Sequence, residues 1–195
     1  MLKTLLGGVA ALSLIGASSP VFAQEAEGPV VTRARPAETV DALKVREAIA
    51  YANPLPRGAP TSDYPLVAWC DALVTGHADL GETLTDHAPE DLELIRLGRL
   101  EAQDFRSALA VAQPRQNAAS KAEAARAVAA VKAQWAPLLA SQDEAARSQS
   151  FGLFYGLPGR CEHAARRIRE NITTPPATPA EVGLEAPATA PSSAN

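Results

Sequence analysis

Between Ser62 and Asp86 the apolar residues return every three or four positions, and this rhythm commits the stretch to a helix with one buried face. Leu66, Cys70, Leu73, His77, Leu80 and Leu84 form the stripe, widened by Tyr64, Val67, Trp69 and Val74. Asp71, Thr75, Asp79, Glu82 and Asp86 fall on the opposite side. Pro65 belongs to the first turn, where a missing N–H is harmless, and Thr61, Ser62 or Asp63 can cap the start. Gly76 and Gly81 lower the helix propensity, which points either to close approach by a neighbouring helix or to a break near Gly81.

Similar stripes recur along the chain. A short helix is expected from Ala37 to Tyr51, with Val40, Leu43, Ile49 and Ala50 inward. The Pro-rich run Asn53–Pro60 then delivers an extended chain to the central helix. Pro89, Glu90 and Asp91 open a helix that should run to about Ala112, burying Leu92, Ile95, Gly98, Ala102, Phe105 and Leu109. Ser120 with Glu123, and Ser141 with Glu144, have the spacing of capping boxes. Between them lies an Ala-rich helix with Ala125, Val128, Val131, Trp135 and Leu138 on one face, which Pro137 should kink or end. Two further helices are expected over Gln142–Tyr155 and Arg160–Ile172. No alternating pattern of a strand occurs, so the expected fold is all-α, a small bundle of about five to six helices spanning residues 37–172.

The flanks differ in composition. Met1 to Ala23 reads as a secretory signal peptide: Lys3, an apolar core from Leu5 to Ile15, and a small-x-small cleavage site at Val21-Phe22-Ala23. Its core is too short to span a bilayer and no other run approaches the length needed, so the mature chain should lack a transmembrane segment and be periplasmic or secreted. Residues 24–36 read as a flexible leader. From Thr173 to Asn195 five prolines stand among Ala, Thr, Ser and Glu, the composition of a disordered tail. The Asn171-Ile172-Thr173 sequon has meaning only in a eukaryotic secretory pathway.

Cleavage after Ala23 removes one lysine and no acid, taking the net charge from −4 to −5. This mild acidity argues against nucleic acid as a partner. An oxidising destination gives weight to the two cysteines, Cys70 and Cys161. Cys161 opens a stripe with Ala164, Ala165, Ile168 and Ile172, so both sulfurs should face one interior and form a disulfide. The rival is a pair of buried thiols.

Chemistry is thinly signalled. Cys70 and His77 are two turns apart, roughly 10 Å along a helix, too far for a direct nucleophile–base bond. They remain candidates as separate ligands to a metal or cofactor, against the plainer reading of a packed cysteine and a buried, hydrogen-bonded histidine. Phe151 to Arg160 gathers Phe154 and Tyr155 beside Cys161, and with Trp69 and His77 these residues could line an aromatic pocket for a small apolar ligand, or simply form the core. His87 and His163 are expected in solvent. No HExxH, CxxC, CxxCH or GxSxG occurs, which leaves metal, haem and serine-hydrolase chemistry without a motif and no cofactor implied. Arg160, Arg166, Arg167 and Arg169 could meet an anionic surface, or suit the helix C-terminus while solvated.

Val67-Ala68-Trp69-Cys70 followed by Gly76-His77, downstream of a Pro-rich lead-in, resembles uncharacterised exported helical proteins of alphaproteobacteria. The resemblance covers mainly the central helix. It implies an exported, helical, disulfide-linked domain and no activity, cofactor or catalytic residue. Together these readings favour a non-catalytic exported protein that binds an envelope protein or a small apolar ligand. The alternative is a metal- or cofactor-binding bundle using His77.

Overall fold

A computed structural model of the protein describes residues 38–154 and 156–184. The expected signal peptide, the leader, Tyr155 and the last eleven residues lie outside the described residues. Six α-helices follow one another: α1 (Val40–Ala52), α2 (Asp63–Glu82), α3 (Pro89–Ala112), α4 (Ala118–Ala140), α5 (Glu144–Gly152) and α6 (Arg160–Glu170). Two short 3₁₀ turns, Gln113–Arg115 and Ala180–Val182, complete the secondary structure, and no strand occurs among the described residues. No helix of the described residues is long and apolar enough to cross a membrane.

The bundle is arranged around α2, which packs against α3, α4, α5 and α6. That is why α2 is buried on nearly every side, with Leu66, Val67, Cys70, Ala78 and Leu80 fully enclosed. The main core joins Leu66, Val67, Trp69, Cys70 and Val74 to Phe105 of α3, Val131 of α4 and Ile168 of α6. A second cluster, Leu80, Leu84, Ile95 and Phe151, closes the far end. α3 runs antiparallel to α2, since Arg106 meets Asp71 and Arg99 meets Asp79.

Both α2 glycines are explained by close approach. A Cβ at Gly76 would overlap the Trp135 indole, and one at Gly81 would strike Phe151 and Ile95. The helix also ends close by, at Glu82, so Gly81 marks both a close approach and the approach to the helix end.

Several local expectations need correction. α1 turns Glu47, Ala48 and Ala50 inward and leaves Val40 and Ile49 in solvent, because its helical neighbour is α6 and not the main core. Leu92 of α3 is also exposed, and the buried stripe of that helix starts at Ile95. α4 is capped by Asn117, whose side chain accepts from Ser120 N, and α5 by Asp143, which accepts from Ala146 N; Asx residues near each start displaced the Ser–Glu pairs. α4 continues through Pro137 to Ala140. The carbonyl that proline leaves without a donor belongs to Ala133, which is exposed and open to water. The described chain also continues past Ile172: Thr173 to Leu184 take a defined path, with the 3₁₀ turn at Ala180–Val182 packed on α1.

Candidate functional site

Two faces of α2 carry the polar groups. Toward α6, Cys70 and Cys161 form a disulfide with an S–S distance of 2.10 Å, as the parity of cysteines suggested. Beside it lies a buried ionic cluster. Arg167, 5% exposed, donates from Nη1 to Glu47 Oε1 at 2.8 Å and from Nε to Asp63 Oδ2 at 3.1 Å. Its Nη2 donates to the Thr174 carbonyl, which draws the chain after α6 back onto the domain. Arg166 Nη2 completes Glu47 at 2.7 Å, and Tyr51 Oη donates to Asp63 Oδ1 at 2.7 Å. Burial first, and then the Asp63 bond, push the Tyr51 phenol well above its ordinary pKa.

These contacts give each of the four α6 arginines a partner within the chain. Arg167 is enclosed, and Arg166 serves Glu47 and Glu170. Arg169 is held by Asp104 at 2.6 Å. Arg160 donates to the Thr61 carbonyl at 2.7 Å and stacks over Tyr51 at 4.2 Å. All four are spent on internal partners. His163 is likewise not in solvent but 3% exposed, and burial lowers its pKa. His87 is half-buried, its Nε2–H donating to Gly81 O at 2.8 Å.

Of the residues expected to line an aromatic pocket, His77 and Phe154 stack on each other and border a cavity of about 300 Å³ with Leu94, Leu97 and Glu101 of α3. His77 lies between Phe151 and Phe154, with both ring centroids at 4.3 Å, and Nε2–H donates to Phe151 O at 3.0 Å. Burial lowers its pKa, the carbonyl bond opposing. To bind a metal through Nε2 the ring would have to surrender that bond, so the imidazole is engaged in joining α2 to α5. The tryptophan beside it is Trp135, at 6.4 Å, and not Trp69. Trp69 stands about 12 Å earlier along α2, in the main core. Among the described residues no group of three or more His, Cys, Asp or Glu side chains is placed to hold a metal ion.

The other face of α2 is open. Parallel to α4 it leaves a cleft of about 450 Å³ lined by Asp71, Thr75, Asp79, Arg106, Lys132 and Trp135, with Val128, Ala136 and Leu139 adding apolar wall. Trp135 rests on Gly76 at mid-cleft, and its Nε1–H is buried without a partner. Asp71 accepts from Thr75 Oγ1 at 3.2 Å and has Arg106 only at 3.9 Å. Burial raises its pKa, against the pull of Arg106, Thr75 and Lys132. Sequence reading placed Asp71, Thr75 and Asp79 on a polar back and Trp135 in a core stripe. Their convergence depends on the α2–α4 packing, which Gly76 alone hinted at. Asp71 thus faces the Thr75 hydroxyl and two cations.

No family model matches the chain, and no curated protein or solved structure matches it.

Proposed function

We propose that this protein is an exported, non-catalytic helical module that binds a small molecule with an apolar body in the α2–α4 cleft. The observation that carries the reading is the cleft itself. It has the size of a small-molecule site, a tryptophan wall, and two polar groups in a state that a ligand would improve. The indole N–H lacks an acceptor, and Asp71, half-buried, has its nearest guanidinium, Arg106, at 3.9 Å with no hydrogen bond between them. Export is supported by the leader pattern of residues 1–23 and by a disulfide that an oxidising compartment would maintain.

Native mass spectrometry of unreduced protein, produced with its own leader in a bacterium and recovered from the periplasm, tests both parts. The expected spectrum shows a chain beginning at Gln24, two hydrogens light, with a small molecule that leaves on denaturation. Ala136→Trp, which fills the cleft from its exposed rim, should abolish the extra mass. A bare chain from wild type, or extra mass retained by Ala136→Trp, would overturn the reading. Retention of residues 1–23 would overturn export.

A further inference from the structure

The cavity beside the His77 stack shares no lining residue with the α2–α4 cleft. Val74 and His77 of α2 line it together with Leu94, Leu97 and Gly98 of α3, and Phe154 and Gly156 close it from the segment after α5. Leu94 and Leu97 keep 49% and 46% of their surface exposed, apolar area that an occupant would cover.

The charge of this cavity has one sign. Glu101, exposed at the rim, is the one charged residue that lines it, and among the described residues its carboxylate has neither a hydrogen bond nor an ion pair. Partial desolvation first, and then the nearby carboxylates of Glu162 and Asp104, raise its pKa. The cations close to those two are already engaged: Arg46 holds Glu38 at 2.6 Å and Glu162 at 3.3 Å, and Arg169 holds Asp104 at 2.6 Å. His77 is the other titratable group of the lining. Burial lowers its pKa and its Nε2–H goes to Phe151 O, so at neutral pH it adds no positive charge.

We infer that this cavity binds a small alkylammonium ion, with the ammonium on the Glu101 carboxylate and the tail along Leu94, Leu97 and Phe154. Charge decides the class. Apolar walls alone accept any tail, whereas an unmatched carboxylate beside them repels an acid and pairs with a cation. Spacing sets the size: Leu94 and Glu101 are seven residues apart on one face of α3, about 10 Å, which a hexyl tail and its ammonium fill.

The test is an NMR titration of isotope-labelled, disulfide-intact protein at neutral pH with hexylammonium, 1-hexanol and hexanoate, probes with one tail and three head-group charges. Hexylammonium should shift the amide signals of Leu97, Gly98, Glu101 and Phe154, with a dissociation constant at least tenfold below that of hexanoate and hexanol in between. Glu101→Gln, at an exposed position without partners, should erase the difference between the probes. Leu97→Ala should weaken hexylammonium and hexanol alike, and Ala136→Trp, which fills only the other cleft, should change neither. Hexanol or hexanoate binding as tightly as hexylammonium would overturn the inference, as would a preference for the ammonium that survives Glu101→Gln. Shifts confined to Asp71, Thr75 and Lys132 would also overturn it, placing the amine in the α2–α4 cleft and leaving the small-molecule reading standing. No shift with any of the three probes would overturn it without touching that reading, which the native spectrum decides.

Discussion

The two polar faces of α2 solve opposite problems with the same residue types. Toward α6, carboxylates and guanidinium groups are matched, enclosed and reinforced by the Cys70–Cys161 bond. Toward α4, Asp71, Arg106 and Lys132 approach one another without closing, and beside the core contacts at Ala127 and Val131 an indole rests on a glycine. A charge-rich face is thus a poor guide to function by itself. What separates the joint from the candidate site is enclosure: Arg167 and Glu47 are shut between α1 and α6, whereas Asp71, Arg106 and Lys132 border open space.

The contrast is broken most directly at Arg167. Arg167→Ala leaves the buried Glu47 to Arg166 alone and removes a partner from Asp63; breaking a buried ion pair destabilises by about 3–5 kcal/mol, and the retained Arg166 bond puts the expected loss at the lower end. Urea unfolding should show that loss, and a loss below about 1 kcal/mol would make the α6 face as loose as the cleft. Next in size is the disulfide. Cys70→Ala with Cys161→Ala should cost about 2–4 kcal/mol, seen as a lower melting temperature that reductant no longer changes. The cleft's own joint is Gly76. Gly76→Ala forces Trp135 off α2, with an expected loss of about 1–3 kcal/mol and a red-shifted tryptophan emission. Unaltered emission would show that Trp135 is not seated there.

The smallest effect is acid sensitivity. Burial holds His77 and His163 below the ordinary 6.5, so the native state takes up their protons later than the unfolded chain does. Stability is therefore complete above about pH 6.5 and declines as pH falls through that value toward the lowered pKa values of the fold. His163→Gln and His77→Gln should each flatten the melting temperature between pH 7.5 and 5.5. An equally steep profile in the double variant would remove these imidazoles from the explanation.

Much of the architecture is legible in the chain. Stripes at helical spacing locate all six helices, and the stripe from Leu66 to Leu84 identifies the central one, because a helix surrounded by others must be apolar around most of its circumference. The disulfide is legible from parity and from two inward stripes. The partners of charged residues are not. Arg167 reads as a solvated arginine until α1 brings Glu47 from 120 positions away. Trp135 and Asp71 each look ordinary in their own helix, and only packing places them across one cleft. The central helix contains the wrong tryptophan for the His77 stack, since Trp69 has the local spacing while Trp135 has the contact. Local periodicity reports which side of a helix is buried, and says nothing of which neighbour buries it.

The covalent link between Cys70 and Cys161 has a mechanical side. It closes a ring that contains α3, α4, α5 and most of α2, so tension applied at the two ends of the chain passes through the bond and bypasses residues 71–160. Under load only the segments outside the ring can pay out, and their gripping point is the Arg167 cluster. Asp71, Asp79, Arg106, Lys132 and Trp135 all lie inside it. Pulled from either terminus, the protein would shed α1 and the end of α6 while the cleft kept its shape.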